Sequence, residues 1–221
     1  MTNLAHNLAH IQHEIQSSCS NRDITLIAVS KKQSIERIKT AHSLGLSHFG
    51  ENYAQELEQK AEALDSLSLV WHFMGPIQSN KTKIIAQHAH WVHSLDRLKI
   101  VTRLNEQAKD ANRQLQCLIQ VNIDGEAQKG GVAPNEITIL AEAIEQAPQL
   151  TLRGLMLIPE KAQDSSQTFA KCRELFNTLA DQFTTVDTLS MGMSNDYAQA
   201  IQHGSTMVRI GTALMGERPT S

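Results

Sequence analysis

Cysteine is scarce and unpatterned in this chain. Cys19, Cys117 and Cys172 are odd in number, widely spaced and free of any CxxC spacing, which excludes a disulfide framework and supplies no thiolate set for zinc. Reduced thiols and a cytoplasmic location are the expectation. An excess of either charge is also missing: 20 Lys and Arg against 23 Asp and Glu leave a formal −3. Neither nucleic acid nor an anionic membrane is therefore expected as a partner on general electrostatic grounds. The amino terminus lacks a basic segment followed by an apolar signal core, and no apolar run is long enough to span a bilayer. No GxGxxG and no GxxxxGK[ST] occurs, which removes the usual phosphate fingerprints of open α/β sheets. With no linker, short-period repeat or low-complexity stretch, one domain over residues 1–221 is expected.

What the chain does contain is regular alternation. Ile24 to Lys31, ITLIAVSK, is apolar and β-branched without helical period, the pattern of a strand buried on both faces. Before it, Leu4, Leu8, Ile11 and Ile15 predict an amphipathic helix over Thr2 to Ser18, whose His6, His10 and His13 read as a solvated face. After it, strands are expected at Leu46–Phe49, Leu69–Met74, Trp91–Ser94, Leu115–Asn122, Leu152–Ile158, Val186–Ser190 and Met207–Ile210. Helices are expected at Ser34–Leu44, Tyr53–Leu64, Thr82–His88, Asp96–Asn112, Pro134–Gln146, Ser165–Gln182 and Asn195–Gln202. Gln128 to Val132 reads as a loop. Eight strands, seven intervening helices and a leading helix predict a single (β/α)8 TIM barrel with an extra amino-terminal helix. A doubly wound open sheet is the alternative, disfavoured by the strand count and the missing fingerprint.

In a barrel the residues that matter follow the carboxyl ends of the strands. Lys31 and Lys32 follow the first. The seventh runs into Ser190-Met191-Gly192-Met193-Ser194, and the eighth reads Val208-Arg209-Ile210-Gly211-Thr212. Ser194 is expected to cap a helix, and glycine amides beside a helix start suit an anion. An amine on one side of the mouth and a phosphate cradle on the other suit a phosphorylated aldehyde, for which pyridoxal phosphate is the obvious candidate.

At these residues the chain resembles the pyridoxal phosphate homeostasis proteins, which look like the barrel half of bacterial alanine racemase. The matching blocks are AVSK (Ala28 to Lys31), FGENYAQE (Phe49 to Glu56), WHFMGPIQSNK (Trp71 to Lys81), RGLM (Arg153 to Met156), LSMGMSND (Leu189 to Asp196) and STMVRIGTALMG (Ser205 to Gly216). The resemblance implies Lys31 as the Schiff-base lysine, phosphate contacts from Ser194, Gly211 and Thr212, and Arg209 facing the pyridine nitrogen. Asn52 and Met193 fall in blocks that line the cofactor. It departs where the family usually has SK-x-x-P, since this chain has Ser30-Lys31-Lys32-Gln33-Ser34; Ser34 is still expected to cap the next helix.

Arginine at the ring nitrogen disfavours transamination, because it can only donate there. Racemases of the resembling fold use a tyrosine from a second domain, and here Glu217 to Ser221 follow soon after the eighth strand. Tyr53 and Tyr197, the only tyrosines, are the candidate stand-in bases. The expectation is a monomeric pyridoxal phosphate carrier that buffers the cofactor or delivers it to apoenzymes. A weak amino acid racemase or related enzyme is the alternative.

Overall fold

The computed structural model describes residues 4–19, 21–125, 130–160 and 165–217. Thr2, Gln128, Lys129 and the tail Arg218–Ser221 lie outside the described residues. Helix α1 (Leu4–Ser18) leads into β1 (Thr25–Val29), α2 (Ile35–Ser43), β2 (His48–Glu51), α3 (Ala54–Ala63), β3 (Val70–Phe73), α4 (Thr82–His88) and β4 (Trp91–Leu95). Then come α5 (Leu98–Asp110), β5 (Leu115–Val121), α6 (Ile137–Glu145), β6 (Leu150–Leu157), α7 (Ser166–Ala180), β7 (Thr188–Ser190), α8 (Tyr197–Gln202), β8 (Met207–Ile210) and α9 (Thr212–Met215). The eight strands close in chain order, with β8 parallel to β1. The expected barrel is the observed one.

Alternation along the strands separates two apolar regions. Outward residues such as Ala28, Phe49, Trp71, Val92, Ile119 and Val208 join the helices in one large core. Inward residues form a small second cluster, Ile27, Met74 and Met207, with Val29 and Trp91 against it. Helix α1 buries Leu4, Leu8 and Ile11, the expected stripe, and packs on α8 and α9. Ser34 caps α2 as expected: its extended backbone turns the side chain back to accept from the Arg37 amide at 3.2 Å.

Differences from the expected boundaries have physical causes. The first strand ends at Val29 rather than Lys31, because Gln33 N–H donates to Ser30 O at 2.9 Å and closes a turn over the two lysines. The second strand is displaced toward its polar end. Leu46 lies in the turn that ends α2, its amide donating to Ala41 O, while polar Glu51 is buried within the strand. The expected helix from Pro134 opens as a 3-10 turn over Pro134–Glu136. Helix α9 was not expected, since four residues are too few to display a helical period. Ser194 is not the cap of α8; that position is Asp196, whose carboxylate accepts from the Met193 amide at 2.6 Å.

Candidate functional site

The residues singled out from the sequence lie at the carboxyl ends of β1, β2, β7 and β8, four neighbouring strands of the closed sheet. Lys31 is half-buried in the turn after β1, and Asn52 is half-buried directly after β2. Met193 and half-buried Ser194 follow β7, and Gly211 and Thr212 follow β8. Arg209 sits within β8, opposite Ile27 of β1, on the inward face. One arc of the barrel mouth therefore carries all seven.

Backbone contacts shape that arc. Gly192 has φ +96, and a Cβ there would lie 2.7 Å from the Ala200 Cβ and 2.9 Å from the Tyr197 Cα. Only glycine lets the loop after β7 fold this closely on α8. Arg209 N–H donates to Gly192 O at 3.0 Å and ties that loop to β8. Gly75 has the same role beside Asn52, since a Cβ would fall 1.9 Å from Asn52 O. The Asn52 Oδ1 atom is buried without a hydrogen-bond partner, an acceptor kept at the mouth.

Arg209 is a buried cation held by neutral groups. Its Nη1 donates to Ser190 O and Ser190 Oγ, each at 2.8 Å, and its Nη2 to Leu157 O at 2.8 Å. Three of its five N–H groups are thereby used, and among the described residues the other two, Nε–H and one on Nη2, have no acceptor. Burial pulls its pKa down to about 10, partly opposed by the charge of Asp196, and it stays protonated at neutral pH.

Barrel interiors are usually packed with branched aliphatic side chains; here a line of imidazoles runs down the axis to Arg209. His48 Nδ1 lies 2.9 Å from His72 Nε2, His72 Nδ1 lies 2.9 Å from His93 Nε2, and His93 Nδ1 lies 3.1 Å from Ser190 Oγ. Every link is satisfied by protons running in one direction along the line: with Ser190 donating to His93 Nδ1, His93 and His72 carry their protons on Nε2, and with Ser190 accepting there, on Nδ1. Burial, reinforced by neighbouring imidazoles and by Arg209, holds the pKa values of His72 and His93 well below the ordinary histidine range, so both are neutral. His48, at the amino end, is shifted down by burial as well.

The Lys31 turn is fixed from outside the barrel. Lys60 of α3 is buried and donates to Ser30 O, Glu51 Oε1 and Glu56 Oε2, each at 2.8 Å. Ser30 Oγ donates to Glu51 Oε1 at 2.6 Å, and Lys32 N–H donates to Glu56 Oε2 at 2.7 Å. On the other side Gln33 Nε2 reaches Gly216 O and Arg37 Nε reaches Met215 O, after β8. Burial raises the Glu51 pKa despite Lys60 and Ser30. At Glu56 burial acts the same way, but the hydrogen bonds from Lys60 and the Lys32 amide outweigh it and the net shift is down.

Of the remaining sequence candidates, Tyr53 lies beside the site and the others do not join it. Tyr197 is buried, and its hydroxyl donates to Glu14 of α1; burial and that carboxylate raise its pKa. Tyr53 is 51% exposed and lines a cavity together with Asn52, Phe73 and Pro76. Arg153 of the RGLM block closes the amino end of the barrel, donating to Gln116 and Asp187 and lying over the Trp91 ring. Cys117 and Cys172 are buried thiols with raised pKa values. A cavity of about 670 Å3 lies at the amino end, against Trp71, His90 and Arg113, away from Lys31. Sequence reasoning passed over the histidine line and the Lys60 clamp. Recurrence of histidine at His48, His72 and His93 on successive strands was a usable signal, as was the i,i+4 pair Glu56–Lys60.

Comparison with known proteins gives this arrangement its family. The model of the alanine racemase N-terminal domain matches residues 1–219. A pyridoxal phosphate homeostasis protein of Vibrio cholerae is 47% identical over 233 residues, covering 100% of this chain and 99% of the relative. The chain belongs to this family. A second member, from Escherichia coli K12, is 43% identical over 232 residues, covering 100% of this chain and 99% of its own. Among solved structures, PipY of Synechococcus elongatus with PLP bound is 33% identical with a TM-score of 0.86, over 97% of this chain and 100% of that one. Alanine racemase of Clostridium difficile 630 is 16% identical with a TM-score of 0.72 over 100% of this chain and 58% of that one, a likeness of fold alone.

Proposed function

We propose that this homeostasis-family protein binds pyridoxal 5'-phosphate through Lys31 and holds it in reserve for enzymes that need it. The observation that carries the reading is Arg209: a buried, protonated guanidinium with two uncommitted N–H groups, on the strand beside the one that leads to Lys31. When bound, the cofactor supplies an aldehyde for an amine and a phosphate for hydrogen-bond donors. Lys31 is the amine. Arg209 donates to the ring nitrogen and, staying protonated, cannot take a proton from it. Ser194, Gly211 and Thr212 hold the phosphate from the loops after β7 and β8, while Asn52 and Met193 border the ring. The orphaned Asn52 Oδ1 supports a ligand at this arc.

A carrier rather than an enzyme is supported by Tyr197, whose hydroxyl is engaged by Glu14 and so does not serve as a base at the mouth. No helix among the described residues is long and apolar enough to cross a membrane. The proposed setting is the cytoplasm, with a monomer handing the cofactor to apoenzymes. Borohydride reduction of the loaded protein, then peptide mass spectrometry, is expected to find phosphopyridoxyl on Lys31. Adduct on Lys32 alone, or none, overturns the assignment. Lys31→Ala is expected to lose the visible absorption with an unchanged far-ultraviolet dichroism spectrum. Rapid exchange of an amino acid α-proton with solvent by the loaded protein would favour the enzyme instead.

A further inference from the structure

The turn that carries Lys31 has a conformation its own sequence does not favour. Ser30 to Gln33 is closed by the Gln33 amide on Ser30 O at 2.9 Å, with Lys31 and Lys32 as its central residues. Lys32 has φ +58, one of two non-glycine residues with positive φ among those described. A positive φ at the third position belongs to the type II turn, which calls for glycine or asparagine there; a lysine pair favours type I, with negative φ. The two forms differ by a flip of the central peptide, here the one joining Lys31 C=O to Lys32 N–H. In the observed form that N–H points outward and meets Glu56 Oε2 at 2.7 Å. In the flipped form the Lys31 carbonyl would face the Glu56 carboxylate, acceptor against acceptor.

We infer that Glu56, itself oriented by Lys60, is a positioning residue for the cofactor lysine: it locks the Lys31–Lys32 peptide in the type II orientation. The lock has two points of contact. Glu56 takes the amide of the flipping peptide, and Lys60 takes the Ser30 carbonyl that closes the turn, while the same ammonium holds Glu56 at 2.8 Å. Both side chains lie one turn apart on α3, directly after β2, so the second β/α unit holds the loop of the first. A ligand held through Lys31 then meets a turn already in its final form, and affinity is not reduced by the fraction of molecules in the other form. The inference rests on the proposed role of Lys31.

The test compares wild type with Glu56→Ala, Lys32→Gly and the double variant. The readouts are exchange of the Lys32 amide in the cofactor-free protein by nuclear magnetic resonance and PLP affinity by absorption titration. Glu56→Ala leaves Lys60 its second carboxylate, Glu51, and puts the best helix former in the first turn of α3. The expected result is loss of Lys32 amide protection and affinity weaker by about tenfold. Lys32→Gly in the Glu56→Ala background is expected to restore affinity, because glycine takes the positive φ without help; a merely structural contact would not be rescued this way. Unchanged protection and affinity in Glu56→Ala, or no rescue by glycine, overturns the lock. Absence of any Lys31 adduct in wild type would sink the functional reading instead, whatever the Lys32 amide does.

Discussion

Lys60 and Arg209 are two buried cations, 6% and 5% exposed, on opposite faces of the same stretch of barrel sheet. Lys60 lies outside the sheet under α3, its three donors used on two carboxylates and a carbonyl. Arg209 lies inside, supported by two carbonyls and a serine hydroxyl, and no carboxylate pairs with it among the described residues. A buried charge that is fully paired has been committed to structure. One held in place by neutral dipoles keeps its field and its spare donors for something else. The difference separates the cation that builds the site from the one that serves it.

The comparison can be broken first at Lys60. Lys60→Met would leave Glu51 buried, still accepting only from Ser30, and is expected to destabilise the fold by about 3–5 kcal/mol in urea unfolding at neutral pH. A loss under about 1 kcal/mol would mean that the clamp is not structural.

Acid should act on the inner and outer faces at different pH. The pKa values of His72 and His93 are depressed by folding, so below about 6.5 the unfolded chain binds more protons and stability falls with pH. Each contributes a slope of up to about 1.4 kcal/mol per pH unit. Glu56, lowered overall, adds stability above the ordinary carboxylate range and loses it only as pH drops through its folded value. Glu51, raised by burial, runs the other way and opposes folding as pH climbs past that range. Urea midpoints at pH 7.5, 6.5 and 5.5 should therefore fall steeply, and His93→Gln should flatten the fall. A flat profile in wild type would show that the imidazoles are not held neutral.

Arg209→Met separates the roles most directly. It orphans only neutral acceptors, so the expected loss is about 1–3 kcal/mol, less than for Lys60→Met, while PLP affinity should drop by at least about tenfold, the worth of roughly one charge-assisted hydrogen bond. Equal destabilisation by the two substitutions would erase the distinction. Ser190→Ala is the mildest break, at about 1 kcal/mol. It unlinks His93 from Arg209, and the absorption maximum of the bound cofactor is expected to shift; an unchanged spectrum would confine the histidine line to packing.

Much of the architecture was legible because barrel strands and helices differ in period. The first strand, the leading helix and the Ser34 cap could be read from Ile24–Val29, Leu4-Leu8-Ile11 and a serine before Ile35. The boundary at Lys31 was not legible. A strand pattern continues through Ser30 and Lys31, and the contacts that hold a turn there come from Glu56 and Lys60 on α3 and from Gly216 after β8, all distant in sequence. Ser194 looked like a cap because it precedes a helix, but the helix starts two residues later than expected, after a turn that Asp196 closes by accepting from the Met193 amide. Arg209 could equally have been a surface cation; the Ser190 and Leu157 carbonyls that bury it come from β6 and β7.

By itself the sequence determined the order of strands and helices, and with it the closed barrel and the mouth where Lys31 emerges. Hydrophobic period is a local property, and eight alternating strands and helices without a glycine fingerprint suit a closed barrel better than a doubly wound open sheet. Only the tertiary structure decided which charges are buried, which are paired, and which peptide orientation carries Lys31. Those outcomes depend on partners that arrive from other strands and helices, and the free energy of a buried charge is set by its partners rather than by its neighbours in the chain.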